Sequence, residues 1–468
     1  MKGLEMKRRA AQILIVVLFS AILEMIFISV GMMSGVIVVA VIAIITILYI
    51  QGLCFYDLGL ILMPFMFYMN IGGAINTSVA DFIIVIWLLG AMSSRSNSSM
   101  AYKNAAIAST KSYMMKFAMV FMGIMLVSMV NFIRWENALL LQAFVSIIKI
   151  LVCLFYSLFT LFYIGVFGRK RFLCVMAYNT LFFDLLMIVG VVAYTRGIDL
   201  GLTFAGTFRA TGTFEDPNLA AAYLFLMVSF AIVYFMEEKK YLLLGASILL
   251  TFVSVVLTSS KGALVAVVVG LSFILIANLI RGNGGMVLKL IIGYAIIAAI
   301  LYYLYQHSSL VQQVCEPIFN RLEEFTSNVE GDHSLAHREF LWKTAFDLGM
   351  TEPILGIGVE QFRPAATQYT GQNVWNIVHN TYLTFFCELG IVGLIAFFSL
   401  WIKNAWNHFL LMRRKRSSVY YLFSIICVSV SMWSISLGNF RTLWVFMTFL
   451  LYEYNREVYS EEDKIVNY

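Results

Sequence analysis

The chain has 468 residues, 61% of them hydrophobic and only 12% charged, with a formal net charge of +6 and a mean hydropathy of +0.87. No soluble fold buries that much apolar surface, so a soluble enzyme is excluded and an all-α polytopic membrane protein is expected. The basic residues cluster in loops, where membrane topology explains them, so nucleic acid is not an expected partner.

The opening "MKGLEMKRRA" precedes an apolar run with no small-residue cleavage pattern, which reads as a retained first helix. About 20 apolar residues are needed per span. Apolar runs then place helices over 12–31, 35–50, 58–74, 79–93, 114–133, 138–167, 172–194, 218–236, 241–258, 262–280, 287–304, 380–402, 418–437 and 441–455. The expected total is 12–14 spans, with short third, fourth and last runs. The organisation is N-terminal spans over 1–194, spans with outer-face loops over 195–304, a long extracytoplasmic loop over 305–379, C-terminal spans over 380–455, and a tail over 456–468. The six cysteines form no CxxC pair and read as small core residues rather than as a disulfide or metal framework.

Most of the 32 Lys+Arg fall in alternate loops, including "GRKR", "EEKK" and "LLMRRKR". By the positive-inside rule those loops and both termini are cytoplasmic. Basic residues on the other side defy that rule and call for another reason; Arg209, Lys261 and Arg338 are among them. The long loop is not low-complexity. Its "HREFLWKTAFDLGMTEP" spaces Glu339, Lys343 and Asp347 four apart with Phe340, Leu341, Ala345 and Leu348 between them, an amphipathic helix closing at Gly349 before Pro353 and expected to lie at the interface.

Four segments meet the outer face. In "FRATGTFEDPNLAAAYLF" Asp216 reads as an N-cap and Pro217 as the first helical residue, with Arg209 just outside. "LTSSKGALVA" is a tight turn with Lys261 at its tip, "HSLAHREFLW" carries Arg338, and "VHNTYLTFF" sets His379 and Asn380 at the lip of a span. Cations and an imidazole around an outward cavity suit a diphosphate borne on a lipid. Arginine grips phosphate in a fork, lysine acts as a point charge, and histidine can take a proton near neutral pH. The loops hold no tight acidic cluster for a metal. His333 and His337 are four apart but lack an adjacent Glu or a third ligand.

In order and spacing, "RATGTFEDPNLAA", "SSKGALVA", "HREFLWKTAFDLGMTEPILGIGVEQF" and "VHNTYLTFFCELGIVG" resemble the O-antigen ligase and Wzy polymerase superfamily, over about residues 200–400. The resemblance implies a GT-C-like membrane glycosyltransferase of the bacterial inner membrane, acting on its extracytoplasmic face on an undecaprenyl-diphosphate-linked glycan. Inversion at the anomeric carbon, no metal and no other cofactor follow from it. By that likeness His379 is the candidate base, with Arg338 and Arg209 as catalytic diphosphate-binding arginines. Lys261, where relatives have arginine, joins Asn380, Glu388 and Asn218 as the expected substrate-binding residues. A chain-length-regulating co-polymerase is an implied partner, beside the lipid bilayer.

Bland readings stand beside these. Asn380 and Asp216 also serve as helix caps, Arg209 and Arg338 as partners of Glu215 and Glu339, and Lys261 as a snorkelling turn residue. Glu388 lies deep in its span, where a charge is functional by default. Lys149 and Asp184, mid-span in successive helices, are expected to pair; Glu24 in the first span has no evident partner. A polysaccharide polymerase lengthening one lipid-linked glycan with another is the first reading, and a ligase transferring the glycan to lipid A–core is the alternative. A flippase ranks below both, because no internal repeat is visible and the notable charges sit at the lip rather than at the midplane.

Overall fold

The computed structural model describes residues 57–65, 80–81, 84, 104–204, 207–308, 312, 316 and 333–466. The expected spans over 12–31 and 35–50, most of those over 58–74 and 79–93, and Glu24 lie outside these residues. The chain divides into two compact units, Met1–Leu62 and Met63–Tyr468. In the first, Asp57–Ile61 forms a helical turn. All that follows concerns the second.

Twelve successive helices make up the described part of the second unit after residue 104. They are α1 (Ala105–Ser128, continued by a 3-10 stretch Met129–Arg134), α2 (Leu140–Phe167), α3 (Arg169–Thr195), α4 (Pro217–Glu237), α5 (Tyr241–Leu257), α6 (Lys261–Ile280), α7 (Gly284–His307), α8 (His333–Thr351), α9 (Phe362–Thr370), α10 (Thr381–Leu411), α11 (Arg416–Ser431) and α12 (Arg441–Val466). Among the described residues there is no strand, only an isolated bridge between Thr203 and Ala210. Among the described residues six helices are long and apolar enough to cross a membrane: α1 with its 3-10 extension, α2, α3, α4, α6 and α10; α5 and α11 are shorter apolar helices. The protein is an all-α polytopic membrane protein. From residue 114 onward, each expected span has a helix at its place.

Local chemistry sets the boundaries. Asp216 caps α4 through its carboxylate, which accepts from the Asn218 amide at 2.6 Å, and Pro217 opens the helix. Gly168, at φ +85°, turns the chain between α2 and α3 in a conformation that costs other residues energy. α4 is apolar on every side, as a helix at the centre of a bundle must be. It packs against α3, α5 and α11, and Phe230 on it meets Phe172, Phe446 and Phe449 edge-on.

α10 is not continuous. Gly390, at φ 65° and ψ −168°, breaks it. Inside an apolar layer the freed backbone groups must find partners, and residues 353–358 supply them. The amides of Ile357 and Gly358 donate to the carbonyls of Cys387 and Glu388, while those of Ile391 and Val392 donate to Pro353 and Ile354. The approach is so close that a Cβ on Gly356 would stand 2.3 Å from the Glu388 backbone, and one on Gly390 2.3 Å from that of Ile354. From the other side, Asn131 donates to the Gly356 carbonyl, the Trp135 indole to that of Ile357, and the Val359 amide to Ser128.

Three expectations need correction. The helix expected over 418–437 ends at Ser431, and the chain from Met432 to Phe440 folds into turns whose carbonyls serve the start of α10. The amphipathic helix expected to close at Gly349 runs on to Thr351 as α8, and the long loop that carries it also holds α9. Lys149 and Asp184 do not pair. Thr251 donates to the Asp184 carboxylate at 2.7 Å and the Ser254 hydroxyl donates to its backbone carbonyl. Lys149 instead feels the charges of Glu360, Arg441 and Arg363. Equal depth in two helices placed the pair, but the facing side chain on α5 is a hydroxyl that satisfies the acid locally.

Candidate functional site

Four helix ends assemble at one end of the bundle. The "TGTFEDPN" element comes first. A small turn sets Phe204 and Arg209 back to back, with the Phe204 amide donating to the Arg209 carbonyl at 2.8 Å. Arg209 reaches across to the end of α5, its Nε donating to the Thr258 carbonyl at 3.0 Å, with the guanidinium 5.6 Å from the Phe204 ring.

Thr258 begins the α5–α6 turn. Ser259 takes a left-handed conformation at φ 48°, and Ser260 caps α6 by accepting from the Ala263 amide. The Ser260 hydroxyl donates at 2.6 Å to Asn218, whose amide nitrogen donates at 2.8 Å to Asp216. The caps of α4 and α6 are thus joined through a buried chain of side chains. Lys261 follows as the first residue of α6, half-buried. Next to it Gly262 lies so close to Ser434 that an added Cβ would come within 2.8 Å of its hydroxyl.

The turns over 432–440 then carry the link to α10. The Thr381 amide donates to the Met432 carbonyl, its hydroxyl donates to Ile435, and the Leu437 amide donates back to that hydroxyl. Asn380 caps α10 by accepting from the Leu383 amide at 3.0 Å. Its amide nitrogen is fully buried with no hydrogen-bond partner among the described residues, an arrangement that ordinarily has a reason.

His379 stands just before that cap at φ 53°, a left-handed backbone that few non-glycine residues hold. Strain of this kind gathers at functional sites. The backbone just before His379 is held from α8, where the Trp342 indole donates to the Val378 carbonyl at 3.1 Å. Below it Leu341, Ala345, Leu348 and Ile357 form a buried core with Val374 and Val378. On α8, Leu341, Ala345 and Leu348 are buried and Glu339 and Lys343 exposed, as the spacing predicts, but Phe346 and Met350 are exposed as well; the helix packs against α10. The His379 imidazole is held below its ordinary pKa, chiefly by burial and then by the Arg338 charge, with His337 adding to the effect and Asp216 opposing it. A neutral ring at neutral pH is what a base requires. His337 itself accepts from Asn376 at 2.7 Å.

Of the sequence-predicted residues, His379 and Arg338 lie within electrostatic reach of one another and of Asp216. Arg209, Lys261 and Asn218 belong to the two helix ends joined to Asp216, and Asn380 adjoins His379. Glu388 stands apart, two turns down α10 beside the helix break, where its carboxylate accepts from the Glu360 amide at 3.0 Å. Sequence reasoning missed Glu360 and the 432–440 turns. Glu360 was hidden within a long loop, and the turns within an apolar run that reads as helix.

The sequence of this region also matches a known family. The model described as O-Antigen ligase matches residues 246–398, from α5 to α10, leaving Arg209 and Asn218 before its start. No curated protein matches the chain. The matched stretch, which carries Lys261, Arg338, His379, Asn380 and Glu388, is therefore similar to the O-antigen ligase family, consistent with the resemblance of the sequence to the O-antigen ligase and Wzy polymerase superfamily.

Proposed function

We propose that the protein is a polysaccharide polymerase that transfers an undecaprenyl-diphosphate-linked glycan to the sugar end of another lipid-linked repeat unit. The reaction takes place on the extracytoplasmic face of a bacterial inner membrane, with both termini in the cytoplasm. The observation that carries this reading is the imidazole of His379, kept neutral beside the Arg338 guanidinium at a strained backbone position, within the stretch that matches the O-antigen ligase family.

The chemistry follows from those groups. An acceptor hydroxyl attacks the anomeric carbon from the side opposite the diphosphate, and its proton passes to His379. The bond from the anomeric carbon to the phosphate oxygen breaks, and its electron pair leaves with the lipid diphosphate. Arg338 and Arg209, with Lys261, offset the charge that develops there, a form of stabilisation that carries much of the rate enhancement in many enzymes. Back-side attack inverts the anomeric configuration. Asn218 and Asp216 hold the ends of α4 and α6, beside Arg209 and Lys261.

The ligase reading shares every step and differs in its acceptor, lipid A–core. Purified protein in proteoliposomes, given the lipid-linked repeat unit, separates the two. A ladder of lengthened lipid-linked glycans supports the polymerase. Product that forms only when lipid A–core is added assigns the ligase. Passage of the glycan across the bilayer with no new linkage defeats both.

A further inference from the structure

Beside the break in α10 lies a cavity of about 110 Å³. One face of α10 lines it with Thr381, Thr384, Phe385 and Glu388, the 0, 3, 4, 7 spacing of a helix stripe. α1 adds Phe121, α2 adds Ser146, the segment clamped to the helix break adds Glu360, and the 432–440 turns add Ser436 and Asn439. The polar groups are already oriented. The Ser146 hydroxyl donates to the Glu360 carboxylate at 2.5 Å. Thr384 gives its proton to the Asn380 carbonyl at 2.7 Å, so Ser436, 3.0 Å away, is the donor to Thr384. Glu360 holds a left-handed backbone at φ 61°, a strained conformation that the clamp imposes.

The charge balance selects the ligand. Two carboxylates alone would suit a cation. Here, however, Lys149 is set against Glu360, Arg363 acts on both Lys149 and Glu388, and Arg441, which also acts on Lys149, is paired with Asp81 at 3.1 Å. The charged groups around the chamber are thus matched in sign, and carboxyl and hydroxyl oxygens share its wall with the rings of Phe121 and Phe385 and with Met125, Ile150 and Leu389. Neither a diphosphate nor a bare cation gains much there. A neutral polyhydroxyl ring fits: its hydroxyls donate to carboxylates, and its C–H faces lie on aromatic rings.

We propose that this cavity is a saccharide subsite, taking a sugar of the acceptor glycan by its hydroxyls, with Glu360 and Ser436 as the residues that select it. The proposal rests on the glycan-transfer reading above. It assigns the carboxylate-lined cavity to sugar and the cationic helix ends to diphosphate, so that the two parts of the substrates are kept apart by charge.

The test uses the full chain in detergent micelles and, as probe, the repeat-unit oligosaccharide released by mild acid from lipid-linked glycan. Binding is read by saturation-transfer NMR, independently of any turnover. Glu360→Gln keeps the acceptor for Ser146 but removes the charge, and Ser436→Ala removes one hydroxyl without touching the clamp. Each is expected to weaken oligosaccharide binding by about ten-fold, the size expected for losing a hydrogen bond to a charged group or one of its neighbours. In the proteoliposome assay, KM for the oligosaccharide as acceptor should rise while kcat changes less than about two-fold. If Glu360→Gln fails to fold, Ser436→Ala decides alone. Oligosaccharide binding unchanged in the folded variants overturns the assignment, as does a Glu360-dependent rise in melting temperature with sodium or calcium but none with the oligosaccharide. A protein that binds the oligosaccharide through Glu360 yet forms no glycan linkage would keep the subsite and defeat the transferase reading instead.

Discussion

The Ser260 hydroxyl donates to the Asn218 side-chain oxygen at 2.6 Å, and that one contact joins the caps of α4 and α6. Each of the two residues also holds its own helix end, Ser260 by accepting from Ala263 and Asn218 through Asp216. Ser260→Ala removes both the cap and the bridge. Loss of a serine cap costs about 0.5–2 kcal/mol, and the buried Asn218 oxygen would lose its partner. The expected result is a lower melting temperature together with weaker binding of the lipid-diphosphate donor, because Lys261 follows directly on the cap. Thermal unfolding in detergent and a donor-binding titration check the two effects.

Arg209 spends its Nε on the Thr258 carbonyl and so anchors the "TGTFEDPN" turn to the end of α5. Arg209→Ala is expected to raise the donor KM and to lower kcat together, because the same side chain places the turn and, in the proposed reaction, offsets the charge of the departing diphosphate. Arg209→Lys should restore charge without the fork and recover only part of the activity. Steady-state rates over a range of donor concentration would reveal the pattern.

The pH dependence of turnover follows from the groups around His379. Burial and Arg338 hold the imidazole below its ordinary pKa, and a base works only when unprotonated. Activity should therefore rise with pH along a limb below about 6.5, the ordinary histidine value, and be level at neutrality. Removing a cation lets the ring protonate more easily, so residual activity of Arg338→Ala should rise along a limb at higher pH. Asp216 pulls the other way, so Asp216→Asn should move the limb to lower pH. Rate profiles of the three proteins between pH 5 and 8 (range chosen to bracket about 6.5) provide the measurement.

The clamp at the break in α10 makes a prediction about folding. Gly390 and Gly356 both hold positive φ, and a Cβ on either would enter the backbone of the opposite segment. Alanine at each is expected to cost about 1–3 kcal/mol in backbone strain alone, before the collision is counted. Yield of monodisperse protein should fall sharply for Gly390→Ala and Gly356→Ala. Gly371→Ala, at a positive φ with open space around it, should show the strain without the collision.

Some of this was legible in the sequence and some was not. The cap at Asp216 with Pro217 behind it, and the amphipathic spacing of α8, depend on local rules, and both stand in the structure. The cationic tips at Arg209, Lys261 and Arg338 were conspicuous because they broke the topology rule. The break at Gly390 was hidden, because a glycine inside an apolar run looks the same whether it packs or interrupts. Its cause lies some 30 residues earlier in the chain, in amides and carbonyls of 353–358 that no side-chain pattern marks. The 432–440 turns were misread for a similar reason: "MWSISLGNF" is apolar enough to pass as helix, and only its hydrogen bonds to Thr381 give it a different role. Lys149 and Asp184 show the limit of arguing from depth alone, since Thr251 was the nearer partner.

The central claim is that His379 is the base for glycan transfer, and one comparison tests it most directly. Wild type and His379→Ala are reconstituted at equal density with the lipid-linked repeat unit, and both donor binding and formation of lengthened glycan are measured on the same samples. The expected result is donor binding within about two-fold of wild type, with product formation slowed by about 10²-fold or more, the contribution ordinarily made by a positioned base. Product formed by His379→Ala at the wild-type rate would contradict the account.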